Sequence, residues 1–168
     1  MIDEKLNMTQ EWDKVFPQSG KTDHRKVTFH NRYGITLAAD LYAPKDAAGK
    51  LPAIAVSGPL GAVKERSSGL YAQRMAEYGF LTLAFDPSFT GESGGQPRYG
   101  ASPDINIEDF CAAVGFLSVQ DNADPARIGI IGICGWGGMA TSRTGQPHQG
   151  HRSHDHVRFD PCQRQRLL

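Results

Sequence analysis

Residues 35–42 alternate apolar and polar side chains: Ile35, Leu37, Ala39 and Leu41 against Thr36, Ala38, Asp40 and Tyr42. That period of two predicts a strand with one face buried. A shorter strand is expected over 26–30, and Asn31-Arg32-Tyr33-Gly34 between them is turn chemistry, so the two form a hairpin. After a loop over 44–49, residues 52–56 are a brief apolar run of the kind that crosses a fully covered sheet. Residues 70–78 then read as a helix with Tyr71, Met75 and Tyr78 on one face and Gly79 in the capping position. A strand over 80–85 ends at Asp86, and a long loop over 87–101 follows. A second helix is expected over 105–119, burying Phe110, Ala113, Val114 and Leu117 and capped by Asn106 or Ser102. Residues 121–125 form a turn, and 127–133 form the strand that follows it.

A hairpin followed by strand, helix, strand, helix, strand predicts an α/β domain with a mostly parallel sheet, because crossovers of this length accept little else. Residues 1–25 are polar and mixed, and are expected to lie over the domain edge as an extension or short helix.

The strongest chemical signal is the corner Gly132-Ile133-Cys134-Gly135-Trp136-Gly137-Gly138, directly behind the apolar run Ile128 to Ile131. It reads as a strand, a sharp turn and a helix with a nucleophilic side chain at the tip. Such a turn strains the backbone of the nucleophile and sets it beside the free N–H groups of a new helix. The glycines admit the close passage of strand and helix. A helix N-terminus favours negative charge, which suits a thiolate. The alternative for Cys134 is a small buried thiol at a strand end.

Composition narrows the function classes. Lys plus Arg equals Asp plus Glu at 18 each, so no global charge favours nucleic acid or an anionic membrane. No apolar run approaches the roughly 20 residues that span a bilayer. The N-terminus has no apolar segment of a secretory signal, and three unpatterned cysteines suit a reducing cytoplasm. Lys64 and Glu65 read as a solvated pair, Cys111 as a core residue, and Asp86 as a group orienting the 90–95 loop.

The element order, with Cys134 at the turn, resembles the first half of the α/β-hydrolase fold. The run Phe85-Asp86-Pro87-Ser88-Phe89-Thr90-Gly91-Glu92-Ser93-Gly94-Gly95 resembles a loop of many members, and Ser57-Gly58-Pro59-Leu60-Gly61 falls where the oxyanion loop belongs. The cysteine tip is similar to dienelactone hydrolases, and the spacing Gly132, Cys134, Gly137 is closer to the X-prolyl peptidase and esterase-like branch. The resemblance covers 26–140. It implies an incomplete α/β-hydrolase fold, an N-terminal hairpin followed by parallel βαβαβ layers. It implies hydrolysis of an ester, lactone, thioester or amide of a small molecule through an acyl-Cys134 intermediate, with no cofactor and no metal. The oxyanion donors would be the N–H groups of Gly135 and, since Pro59 has none, Leu60. Trp136 departs from the usual small residue and is expected to alter the turn or line the substrate pocket.

The same resemblance implies an acid and a histidine base after later strands, and His24 and His30 come too early to serve. Only 34 residues follow Cys134. Residues 141–168 hold five arginines and four of the six histidines with almost no aliphatic side chains, so they read as a disordered tail. Histidine-rich codons shifted by one base decode as Ile, Thr and Met, which suggests an out-of-frame tail beginning near codons 139–147. A metal site at His148, His151, His154, His156 and Cys162 is the competing reading, but its spacing fits no familiar motif. Three functions stay open: a hydrolase impaired by its missing acid and base, a non-catalytic remnant, and a dinucleotide-binding module suggested by Gly135-x-Gly137-x-x-Ala140. Loss of half the sheet would leave an open strand edge and favour self-association.

Overall fold

The computed structural model describes residues 6–9 and 11–137. Its elements are β1 (Thr22–His30), β2 (Thr36–Pro44), β3 (Leu51–Ser57), α1 (Ser67–Glu77), β4 (Leu81–Phe85), α2 (Pro103–Ser118) and β5 (Ala123–Gly132). They build one five-stranded sheet in the order β1-β2-β4-β3-β5. The hairpin β1–β2 is antiparallel and β2 also runs against β4, whereas β4, β3 and β5 are mutually parallel. The sheet is thus mixed, and its parallel half carries the helical crossovers.

Strand alternation sorts side chains onto two layers. Leu37, Ala39 and Leu41 of β2, Ala53 and Ala55 of β3, and Leu81, Leu83 and Phe85 of β4 pack with Phe110, Ala113 and Leu117 of α2. The opposite layer joins Tyr42, Val56 and Ala84 to Ala72 and Ala76 of α1. Both faces of β2 are therefore buried, where the alternation alone predicts one. The polar set Thr36, Ala38, Asp40 and Tyr42 is covered because α1 and the N-terminal segment lie over it.

Three further expectations change. Strand β1 starts at Thr22, so it takes in residues 22–25 of the segment read as an extension. The described residues before it contain no helix. They form a strap instead: Val15 N–H donates to Glu65 O at 3.2 Å, Gln73 Nε2 donates to Pro17 O at 3.0 Å, and Trp12 stacks edgewise on Phe16 and His24. Helix α1 buries Ser68, Gly69, Ala72, Gln73 and Ala76, while Tyr71 and Tyr78 face solvent. Small residues win that face because the helix lies close on the sheet, with Thr82 Oγ1 donating to Ala72 O at 2.8 Å.

Helix α2 starts at Pro103 after the N-cap Ser102, and Asn106 serves the same end by accepting the Ser102 N–H at 2.9 Å. The long loop after β4 is pinned to α2 by the buried Asp109, which accepts from Ser88 N–H and Oγ at 2.8 and 2.7 Å and from Asn31 Nδ2 at 2.8 Å. Burial pushes the Asp109 carboxyl up, against those hydrogen bonds. The expected tail over 141–168 and its proposed metal ligands lie outside the described residues.

Candidate functional site

The carboxyl ends of β3, β4 and β5 point the same way, and sites in open α/β sheets gather at that edge. Ser57, Phe85 and Gly132 end these strands. Cross-links hold the ends level: Ser57 Oγ donates to Phe85 O at 3.0 Å, and Ile133 N–H donates to Ser57 O at 3.0 Å.

Beyond Gly132 the chain turns sharply. Cys134 has φ 58, in the left-handed region that a side-chain-bearing residue occupies only at a cost. Gly135 to Gly137 begin a helical turn, with Trp136 N–H returning to Ile133 O at 3.3 Å and Gly137 N–H to Cys134 O at 3.0 Å. Gly135 N–H lies ahead of these, in the first turn, where amides have no intrahelical acceptor. The turn is possible because Gly132 and Gly58 have no side chains. A Cβ on Gly132 would run into the Trp136 carbonyl, and one on Gly58 would lie 2.5 Å from Ile133 O and 2.6 Å from Trp136 Cδ1. The Cys134 thiol at the tip is exposed.

The loop after β3 comes to the same place. Ala62 N–H donates to Pro59 O at 3.0 Å, closing a β-turn with Leu60 and Gly61 in the middle and Gly61 at φ 78. The closing bond of such a turn uses neither central N–H. Leu60 is 56% exposed, and its Cβ sits 3.8 Å from where a Cβ on Gly135 would be. Cys134, Gly135 and Leu60 thus share one corner. Trp136 does not share it as an exposed wall: its indole is 2% exposed, packs on Phe110 at 6.0 Å between ring centres, and lies against Gly58. It fills the space beneath the turn.

Histidine is placed elsewhere. The two described histidines, His24 and His30, lie on β1, at the far end of the strand order from β5. His24 Nε2 is 2.7 Å from Asp40 Oδ1, within the strap side of the sheet.

Sequence reasoning missed a buried charge network behind the corner. Lys64, expected in solvent, has no exposed surface. Its Nζ donates to Asp86 Oδ2 at 3.0 Å, to Glu92 Oε2 at 2.7 Å and to Glu65 Oε1, and its backbone N–H donates to Asp86 Oδ1 at 2.7 Å. Asp86 also accepts the Glu92 N–H at 3.0 Å. Lys26 Nζ reaches Asp13 and Glu92 at 3.0 Å each, and Lys14 Nζ lies 2.8 Å from Asp13 and 3.1 Å from Asp40. No local spacing marks Lys64 as buried, because Asp86 and Glu92 stand 22 and 28 residues away. Oxygens of Asp13, Glu65 and Glu92 could together hold a cation, but the Lys26 and Lys64 ammoniums already occupy that function.

The network sets protonation. Burial works against the Lys64 ammonium, but Asp86, Glu65 and Glu92 hold it above the usual lysine range. Burial pushes Asp86 up to about 6, opposed by Lys64 and by the two backbone N–H groups and reinforced by Glu65. Glu92 is held below its ordinary range, with Lys64, the Thr9 N–H and Lys26 outweighing its burial.

Comparison with known proteins places the chain among relatives of the same fold. A family model described as X-Pro dipeptidyl-peptidase (S15 family) matches residues 33–153. The uncharacterized protein PA2218 of Pseudomonas aeruginosa is 72% identical over 137 residues, 81% of this chain and 37% of that protein. YcjY of Escherichia coli is 43% identical over 66% of this chain and 38% of its own length. The thiohydrolase aneE of Aspergillus aculeatus is 36% identical over 70% of this chain and 36% of its own length. The chain therefore spans little more than a third of these relatives. The crystal structure of PA2218 superposes with a TM-score of 0.80 over 81% of this chain and 43% of that one. The α/β hydrolase GrgF from Penicillium, at 25% identity, gives 0.65 over 70% and 39%. No helix among the described residues is long and apolar enough to cross a membrane.

The Asp86 shift has a defined sign. Folding raises this carboxyl from an ordinary 3.8 to about 6, so its contribution to stability is full below 3.8 and is lost as pH rises through about 6. A carbon-13 titration of the Asp86 carboxyl is expected to show a midpoint near 6. A midpoint under 3.8 would contradict the assignment.

Proposed function

The chain belongs to the X-Pro dipeptidyl-peptidase (S15) family, a family of hydrolases, and on that premise we propose that Cys134 is its acyl-accepting nucleophile. The observation that carries this reading is the left-handed backbone of an exposed cysteine where β5 turns into a helix. Residues 26–140 are read as the N-terminal half of an α/β-hydrolase domain, in a cytoplasmic setting suggested by the unpatterned cysteines.

In the proposed reaction the Cys134 Sγ thiolate adds to a substrate carbonyl carbon, and the carbonyl oxygen takes up the negative charge. Gly135 N–H and Leu60 N–H are the proposed donors to that oxygen, supported by the approach of Leu60 to Gly135. Collapse of the tetrahedral species expels the leaving group with its electron pair and leaves the acyl group on sulfur. Esters, lactones, thioesters and amides all fit this scheme, and the name thiohydrolase borne by aneE favours an acyl thioester. Hydrolysis of the acyl-cysteine then needs a base to deliver water. His24 and His30 cannot supply it from β1. Among the described residues no histidine supplies that step, so residues 6–137 are expected to carry acylation and then stall, and the dinucleotide-binding alternative gives way to family membership.

p-Nitrophenyl acetate separates the readings, since its leaving group departs without an acid. At about pH 9 an ordinary thiol is largely ionised without help from a base. The purified chain is expected to release close to one equivalent of p-nitrophenolate, to carry one acetyl group on Cys134 by mass spectrometry, and to lose both in Cys134→Ala. Absence of the burst would favour a non-catalytic remnant.

The outer edge of β5 is a second proposal. Ile128, Ile130 and Ile131 are only partly buried, and among the described residues β5 has a sheet neighbour, β3, on one side only. An open edge with apolar flanks pairs readily with another chain. Sedimentation at increasing concentration is expected to show self-association, and a single monomeric boundary throughout would refute it.

A further inference from the structure

The described fold contains a buried carboxylate that touches neither the corner thiol nor solvent, yet binds the loop carrying one of the proposed oxyanion donors. We propose that Asp86 is a positioning residue: by clamping Lys64 it fixes the 58–66 loop so that the Leu60 N–H faces the carbonyl attacked by Cys134. The proposal rests on Cys134 being the nucleophile and adds a part that the reading itself does not require.

The geometry is specific. Asp86 follows the last residue of β4, whose end is tied to β3 by the Ser57 hydroxyl. Its two oxygens divide the work. Oδ1 accepts the Lys64 backbone N–H at 2.7 Å, and Oδ2 accepts Lys64 Nζ at 3.0 Å. One carboxylate thus holds the same residue by main chain and side chain. The Pro59–Ala62 turn lies between Gly58, fixed under the corner, and Lys64, fixed on Asp86. With both ends held, Leu60 has little freedom to rotate its N–H away.

Asp86 is itself held from the other side. Its backbone N–H donates to Ala38 O at 3.0 Å, and its carbonyl accepts from Ser93 Oγ at 2.7 Å. Glu92 N–H donates to Oδ2 at 3.0 Å. Gly91 passes so close to the carboxylate that a Cβ there would overlap it. The carboxylate is wholly buried, as is Lys64. A buried ion pair is a poor source of net stability, because desolvation offsets much of the attraction. It is a good source of fixed geometry, since a carboxylate with three donors around it has one comfortable orientation.

Two reactions of the same thiol test this. Acylation by p-nitrophenyl acetate passes through an oxyanion, whereas alkylation by iodoacetamide displaces iodide and forms none. Asp86→Ala is expected to slow the acylation of Cys134 by about tenfold or more, a fraction of the roughly 10²–10³-fold cost of losing an oxyanion donor outright. Alkylation is expected to stay within about twofold, because the thiol's own seat on β5 is untouched. Asp86→Asn keeps an acceptor for the Lys64 N–H and is expected to recover acylation to within about threefold of the unaltered chain. If Asp86→Ala fails to fold, the double change Asp86→Ala with Lys64→Met removes both charges and is judged by the same rates.

Wild-type acylation with unchanged rates in these variants would overturn the proposal and leave the nucleophile intact. Acylation and alkylation falling together would overturn it as well, since the effect would then lie in the thiol's seat. A double variant that also fails to fold would show a role in the whole fold and count against one confined to the loop. No acylation in the unaltered chain would remove the nucleophile and this proposal with it.

Discussion

The backbones at the ends of β3 and β5 approach each other so closely that no side chain fits between them. Gly58 and Gly132 both lie against the turn that follows β5: a Cβ on Gly58 would meet Ile133 O and the Trp136 side chain, and one on Gly132 the Trp136 and Gly137 backbone. Strand pairing sets this distance: Ser57 is in register with Gly132, and Ile133 adds one more bond to Ser57. The chain beyond Gly132 has no room to continue straight and folds back at Cys134, which takes φ 58. Left-handed backbone at a residue with a Cβ costs on the order of 1–2 kcal/mol. The parallel pairing of β3 with β5 and the burial of Trp136 under the turn offset that cost. Strain of this kind is kept where the surrounding fold over-determines it, and it delivers an exposed thiol beside the first amides of a helix.

Behind that corner the protein uses charge where apolar packing would be the simpler choice. Five carboxylates, from Asp13, Asp40, Glu65, Asp86 and Glu92, surround the ammoniums of Lys14, Lys26 and Lys64. The carboxylates hold the Lys26 and Lys64 ammoniums above the usual lysine range despite burial. These groups come from the strap, β1, β2 and the loops after β3 and β4, so the network ties the strap and the two loops to the β1–β2 hairpin. On the other face Asp109 does similar work without a cation, using neutral donors from Asn31, Asn106 and Ser88. Asp86 holds the loop after β4 at Glu92, and Asp109 holds it at Ser88.

The hairpin, the order of strands and helices, and the corner were legible in the chain because their signals are local. Gly-x-Cys-x-x-Gly behind an apolar strand names its own backbone requirement within six residues, and Asn31-Arg32-Tyr33-Gly34 names a turn within four. What escaped depends on partners distant in sequence. The second buried face of β2 looks polar until the strap and α1 are laid over Asp40 and Tyr42. Tyr71 of α1 and Tyr78 at its C-cap face solvent, because the closeness of helix to sheet selects Ala72 and Ala76. Lys64 carries the signature of a surface residue, and only the meeting of the loops after β3 and β4 gives it partners on burial. Trp136, expected to alter the turn or line the pocket, lies buried beneath the turn against Gly58.

The most direct test of the corner is a crystal structure of the chain treated with a small aldehyde, which adds to a thiol without needing a base. The account predicts a hemithioacetal on Cys134 Sγ whose oxygen lies about 2.7–3.1 Å from both the Gly135 and Leu60 nitrogens. An adduct oxygen turned to solvent, or a Cys134 backbone in an ordinary strand or right-handed helical conformation, would contradict it.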